Sequence, residues 1–104
     1  MIGLSRGIAE WATSLKFEDL PATTVEAAKI RLLDTLAVSW AGSDAEGIGP
    51  MRDLLVDQGG RADSTVLGYG DKLPAGAAAL LNSAMGAALD FDGLHETSGV
   101  HTDI

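Results

Sequence analysis

Towards its C-terminal end the chain gathers side chains that can hold, give or take a proton. Asp90, Asp92, His95, Glu96, His101 and Asp103 fall within fourteen residues. An imidazole exchanges protons near neutral pH, and a carboxylate within hydrogen-bond reach can position it or share its proton. Together they could carry out acid–base catalysis without a metal. A calcium loop fits poorly: with Asp90, Asp92 and Gly93 at its third, fifth and sixth positions, Ala88 stands first and Gly99 last, and neither end supplies a side-chain ligand. A zinc or iron site could draw on His95, His101 and a carboxylate. The His95-Glu96 pair, however, lacks the second histidine one helical turn on that the metalloprotease motif needs. No metal is therefore expected. A blander reading stays open, in which Asp90 caps a helix or loop and His101 is a satisfied loop residue.

The element that must deliver this cluster precedes it. From Ala75 to Leu89 the side chains are Ala, Gly, Ser, Asn, Leu and Met, with no charge, and Pro74 opens the run. A helix that is small or apolar all round reads as buried on every side. Gly76 and Gly86 each cost roughly 1 kcal/mol against Ala in a helix interior, so close approach of a neighbouring helix is a reason for them. Asn82, Gly86 and Asp90 recur every fourth residue and would share one face.

Earlier elements read as scaffold. Leu4, Ile8, Trp11, Ala12 and Leu15 have near-helical spacing. Phe17 to Pro21 is a break, and Pro21 suits the start of the next helix. Ala22 to Ala41 is the strongest helical pattern, with Gly42 expected at its C′ position. A loop at 43–47 leads to a shorter helix, Ile48 to Gln58, stopped by Gly59-Gly60. The β-branched run at 64–67 is a brief strand or extended segment, followed by a turn at 68–72. The fold class expected is all-α, with at most this one short extended segment.

The chain has 104 residues and a formal net charge of −8. It is one domain at most. The acidic balance argues against a nucleic-acid partner and an anionic membrane surface. There is no cysteine, hence no disulfide, thiol nucleophile or Cys-ligated metal. The N-terminus lacks a signal-peptide pattern, and Leu73 to Leu89 is too short and small-residue-rich for a membrane span. A cytoplasmic location fits these features. All seven Lys and Arg residues lie at or before Lys72, so the segment with the candidate chemistry holds none.

Three stretches carry a resemblance. Leu32 to Gly42 (LLDTLAVSWAG), Ser64 to Glu96 (STVLGYGDKLPAGAAALLNSAMGAALDFDGLHE) and Val100 to Asp103 (VHTD) resemble the MmgE/PrpD family. That family includes 2-methylcitrate dehydratase, cis-aconitate decarboxylase and an iminodisuccinate epimerase. Its members typically show a Leu-Asp-Thr-Leu helix, a Thr-Val-Leu-Gly segment and a helix ending in Asp-Phe-Asp-Asp-Thr-His, followed by His-Pro-Ser. The most specific part here is the order of Thr65-Val66-Leu67-Gly68, Leu73-Pro74, Asn82 and Leu89-Asp90-Phe91-Asp92. Gly93-Leu94 stands where the family has Asp-Thr, and Thr102-Asp103 replaces Pro-Ser.

The resemblance implies that residues 1–104 are the N-terminal segment of a helical domain, with the remainder of that domain and a smaller α/β lid domain absent. It implies a homodimer in the complete protein, and Asp90 and His101 as catalytic residues. Asp92, His95 and Asn82 are expected to bind substrate. The expected function is that of a metal-free, cofactor-free lyase, a dehydratase or decarboxylase, acting on a small di- or tricarboxylate. The alternatives are an epimerase or isomerase of the same family and a non-catalytic helical interaction module. Developing negative charge and a polycarboxylate substrate both need cations or hydrogen-bond donors. The isolated chain is therefore expected to be inactive.

Overall fold

The computed structural model describes residues 3–95, 97 and 99–101, with the backbone alone for His95 and Val100. Helix α1 spans Leu4–Ser14, and a 3-10 turn at Phe17–Asp19 leads into α2, Ala22–Ala41. A second 3-10 turn, Gly42–Asp44, precedes α3, Ile48–Gln58. The short strands β1 (Ser64–Thr65) and β2 (Lys72–Leu73) come next, then α4 (Ala75–Ala87) and the strands β3 (Leu94–His95) and β4 (Val100–His101). The protein is thus mainly helical, as the patterning predicts. Its extended content is two antiparallel two-residue ladders: Ser64 opposite Leu73 with Thr65 opposite Lys72, and Leu94 opposite His101 with His95 opposite Val100.

The core forms where α3, the β1–β2 hairpin and α4 meet. Ile48, Leu55, Val66, Leu73, Ala78, Leu81 and Met85 are buried together. Ala78, Leu81 and Met85 are three and four residues apart, which stacks them on one face of α4. Leu81, Met85 and Val66 are completely enclosed, and burying a side chain of this size stabilises by about 1.5–3 kcal/mol.

Polar contacts fasten the hairpin to this core. Arg52 on α3 donates from Nε and Nη2 to the two carboxylate oxygens of Asp71, at 2.5 and 2.9 Å. Its guanidinium lies 4.8 Å from the centroid of the Tyr69 ring, and the Tyr69 hydroxyl donates to the Ser43 carbonyl at 2.5 Å. This fork holds the Asp71 carboxyl below the ordinary carboxylate range and raises Arg52, each through the shared hydrogen bonds first.

Helix α2 packs along α4, and two glycines set how closely. A Cβ on Gly86 would lie 3.2 Å from Ser39 Oγ, so Gly86 does face a closely approaching helix. Ser39 is itself buried, its hydroxyl donating to the Thr35 carbonyl at 2.8 Å. The tighter contact is at Gly42, where a Cβ would fall 2.1 Å from the Met85 carbonyl oxygen. Gly42 is not a left-handed C′ residue. Its φ of −75° is open to any amino acid, because the chain runs on into the 3-10 turn. Glycine is required there by space.

Burial of α4 on every side is not observed. Ala75, Gly76, Ala79, Leu80 and Ser83 are exposed, since α2, α3 and the hairpin cover only part of the helix. Helix α1 buries none of its residues, and Trp11 is 62% exposed. On α2, Leu32, Leu33 and Trp40 are likewise open. No helix among the described residues is long and apolar enough to cross a membrane.

Candidate active site

Asn82, the only amide on α4, is tied to backbone. Its Oδ1 accepts from the Leu67 N–H at 2.9 Å, and its Nδ2 donates to the Thr65 carbonyl at 3.1 Å. It fixes the exit of β1 against the helix. Beside it a groove of about 150 Å³ runs between α2 and α4, with Thr35, Ser39, Asn82, Ser83 and Gly86 in its walls.

The helix does not carry Asp90 on the face of Asn82 and Gly86. It ends at Ala87, three residues before Asp90. The Ala88 N–H reaches the Met85 carbonyl at 3.4 Å, and the Asp90 N–H reaches that of Ala87 at 3.1 Å. Asp90 then takes φ +54°, the only described non-glycine residue at positive φ. Asp tolerates the left-handed region better than most residues. The turn swings Asp90 off the helical face and leaves it exposed. Among the described residues its carboxylate has no hydrogen-bonding or ionic partner.

Asp92 is the carboxylate that meets His101. Its side chain is only 6% exposed, whereas that of His101 is 57% exposed. Asp92 Oδ2 engages His101 Nδ1. The hairpin makes this possible: Asp92 stands two residues before Leu94, whose strand partner is His101. Folding 94–101 back on itself brings the imidazole to the carboxylate. His95 lies in β3, and its side chain is outside the described residues, as are Glu96 and Asp103.

The site is anionic on its own. Among the described residues no Lys or Arg pairs with Asp90, Asp92 or His101. Arg6 pairs with Glu10, Lys29 with Glu26, Arg61 with Asp63, and Arg52 with Asp71 and Asp53. Lys72 donates to the Thr65 hydroxyl. No group of three or more His, Asp or Glu side chains among the described residues is arranged to hold a metal ion.

Sequence reasoning missed the second ladder and the Asp92–His101 pairing. The signal was there: two short apolar-plus-histidine pairs, Leu94-His95 and Val100-His101, are separated by four residues that include a glycine, Gly99.

The MmgE/PrpD N-terminal domain model matches residues 6–103. The cis-aconitate decarboxylase of Aspergillus terreus is 31% identical over 100 residues, covering 96% of this chain and 20% of that protein. A cis-aconitate decarboxylase-like protein of Aspergillus oryzae is 30% identical over 95 residues, or 91% of this chain and 20% of that protein. The chain thus spans about a fifth of the length of these curated relatives. No solved structure matches it significantly.

Proposed function

Since the chain belongs to the MmgE/PrpD family, we propose that it forms part of a lyase that removes carbon dioxide or water from a small di- or tricarboxylate. The observation that carries this reading is the meeting of an exposed imidazole, His101, with the carboxylate of Asp92 beyond the end of α4, in a chain similar to cis-aconitate decarboxylases.

His101 is the acid–base group. In a decarboxylation the bond from carbon to the departing carboxylate breaks, its electron pair stays on the substrate, and the imidazolium delivers a proton to carbon. In a dehydration the base takes the proton from the carbon beside a carboxylate, and hydroxide leaves as water with a proton from an acid. Asp90, exposed and unpaired among the described residues, would be a second group able to hold or exchange a proton. The seven basic residues lie earlier in the sequence, and Arg6, Lys29, Arg52 and Arg61 already have carboxylate partners. The counter-charge for the substrate carboxylates would come from outside the 90–101 segment, in a longer homodimeric cytoplasmic protein. The reaction would need no metal, so chelation should leave turnover unchanged.

The test is solvent-deuterium exchange into candidate di- and tricarboxylates by the full-length enzyme, which detects proton transfer at carbon whichever product forms. His101→Ala should lower turnover by roughly 10²–10⁴-fold, the usual contribution of a general acid or base. Exchange at the wild-type rate by a folded His101→Ala variant would remove His101 from the chemistry and leave the non-catalytic helical module standing.

A further inference from the structure

We infer that Asp92, rather than Asp90, is the positioning residue for His101, and that it fixes the ring so that Nε2 is the nitrogen that exchanges protons with substrate. This rests on the reading of His101 as the acid–base group.

The argument starts from accessibility. Asp92 is enclosed and His101 is open, with side-chain exposures of 6% and 57%. A carboxylate taken out of water needs donors to satisfy it. The partner found for it is His101 Nδ1. An ionised carboxylate can only accept, so the nitrogen facing it must carry the proton. In the neutral ring that assigns the hydrogen to Nδ1 and the lone pair to Nε2. In the imidazolium form the proton on Nε2 is the one available for transfer. The backbone enforces the same choice. Asp92 and His101 sit at the base of one antiparallel ladder in which Leu94 pairs with His101, so the separation of the two side chains is set by strand register. Asp90 cannot do this from where it stands, because its left-handed turn leaves its carboxylate exposed and without a described partner.

The experiment uses the full-length enzyme with ¹⁵N-labelled histidine, the His101 resonances being assigned by their loss in His101→Gln. Wild type should show the Nδ1–H tautomer for the neutral ring, and Asp92→Asn should lose that preference. The same variant should lower kcat by up to about 10⁴-fold, the loss met when a general-base imidazole is left in the wrong tautomer by an Asp→Asn change. KM should stay unchanged, and Asp92→Glu should recover part of the loss. A wild-type Nε2–H tautomer, or one indifferent to Asp92→Asn, would overturn the inference. So would a folded Asp92→Asn enzyme with wild-type kcat while His101→Ala is inactive, and that result would leave the proposed function intact. If His101→Ala is fully active while the tautomer still follows Asp92, the pairing holds and the proposed function falls.

Discussion

Asn82 on α4 grips the chain at Leu67 and Thr65, accepting a hydrogen bond from one and donating to the other. A single side-chain amide therefore satisfies two backbone groups, one on the last residue of β1 and one two residues beyond it. Neither an alanine nor an aspartate can do both. Asn82→Ala should destabilise by about 1 kcal/mol, the net worth of ordinary hydrogen bonds between exposed groups. Asn82→Asp keeps an acceptor for Leu67 but loses the donor to Thr65. Chemical denaturation of the three proteins should rank Asn82 above Asp above Ala, and equal midpoints would show that the clamp adds nothing.

Asp90 combines a chemical group with an unusual backbone. The left-handed region costs an ordinary L-residue roughly 1–2 kcal/mol, and glycine escapes that cost. Asp90→Gly and Asp90→Asn should therefore retain wild-type stability, while Asp90→Ala should lose about 1 kcal/mol. Activity should follow a different order. If the carboxylate acts in the reaction, Asn and Gly at this position should both lower kcat, by something near 10²-fold or more. A fully active Asp90→Asn enzyme would assign Asp90 a purely conformational role.

The contact between α2 and α4 leaves little room at Gly86. Gly86→Leu must displace Ser39 or push the helices apart, and overpacking of this kind costs about 1–3 kcal/mol. Gly86→Ala, whose single carbon would sit 3.2 Å from a small hydroxyl, should be tolerated better. Thermal melts that place Gly86→Leu at or above wild type would show that this face is open.

Acid should loosen the hairpin through Asp71. Its carboxyl titrates below the usual carboxylate range because Arg52 hydrogen-bonds to the charged form. A group depressed on folding contributes stability that is present above its unfolded value, about pH 4, and is lost as pH falls through the lower folded value. The stability difference between wild type and Asp71→Asn should therefore be constant at neutral pH and shrink below about pH 4. Urea midpoints measured between pH 7 and pH 3 would test this, and a difference independent of pH would deny the pairing any role.

Much of the scaffold was legible because its signals are local. The spans of α2 and α3 follow from apolar spacing bounded by Pro21, Gly47 and Gly59, and they agree with the observed helices. The core face of α4 was not separable from its open face, since Ala, Gly and Ser give no periodic contrast. The two ladders have two residues per strand, too few for alternation to show. At the candidate site, the concentration of Asp and His was visible, but which carboxylate meets His101 was not. That choice depends on the left-handed turn at Asp90 and on the register of β3 with β4, neither of which is set by residue type alone.

Gly42 has a bearing on how this chain can diversify. Its backbone rests against the Met85 carbonyl so closely that no side chain fits, and Met85 lies one turn and a half before Asp90. Any residue introduced at position 42 has to lift the end of α4, and with it the turn that carries Asp90 and Asp92. A saturation library selected for turnover would then register Gly42 as intolerant as a residue that touches substrate. At this buttress the chain is held to glycine, because a Cβ would lie 2.1 Å from a backbone oxygen.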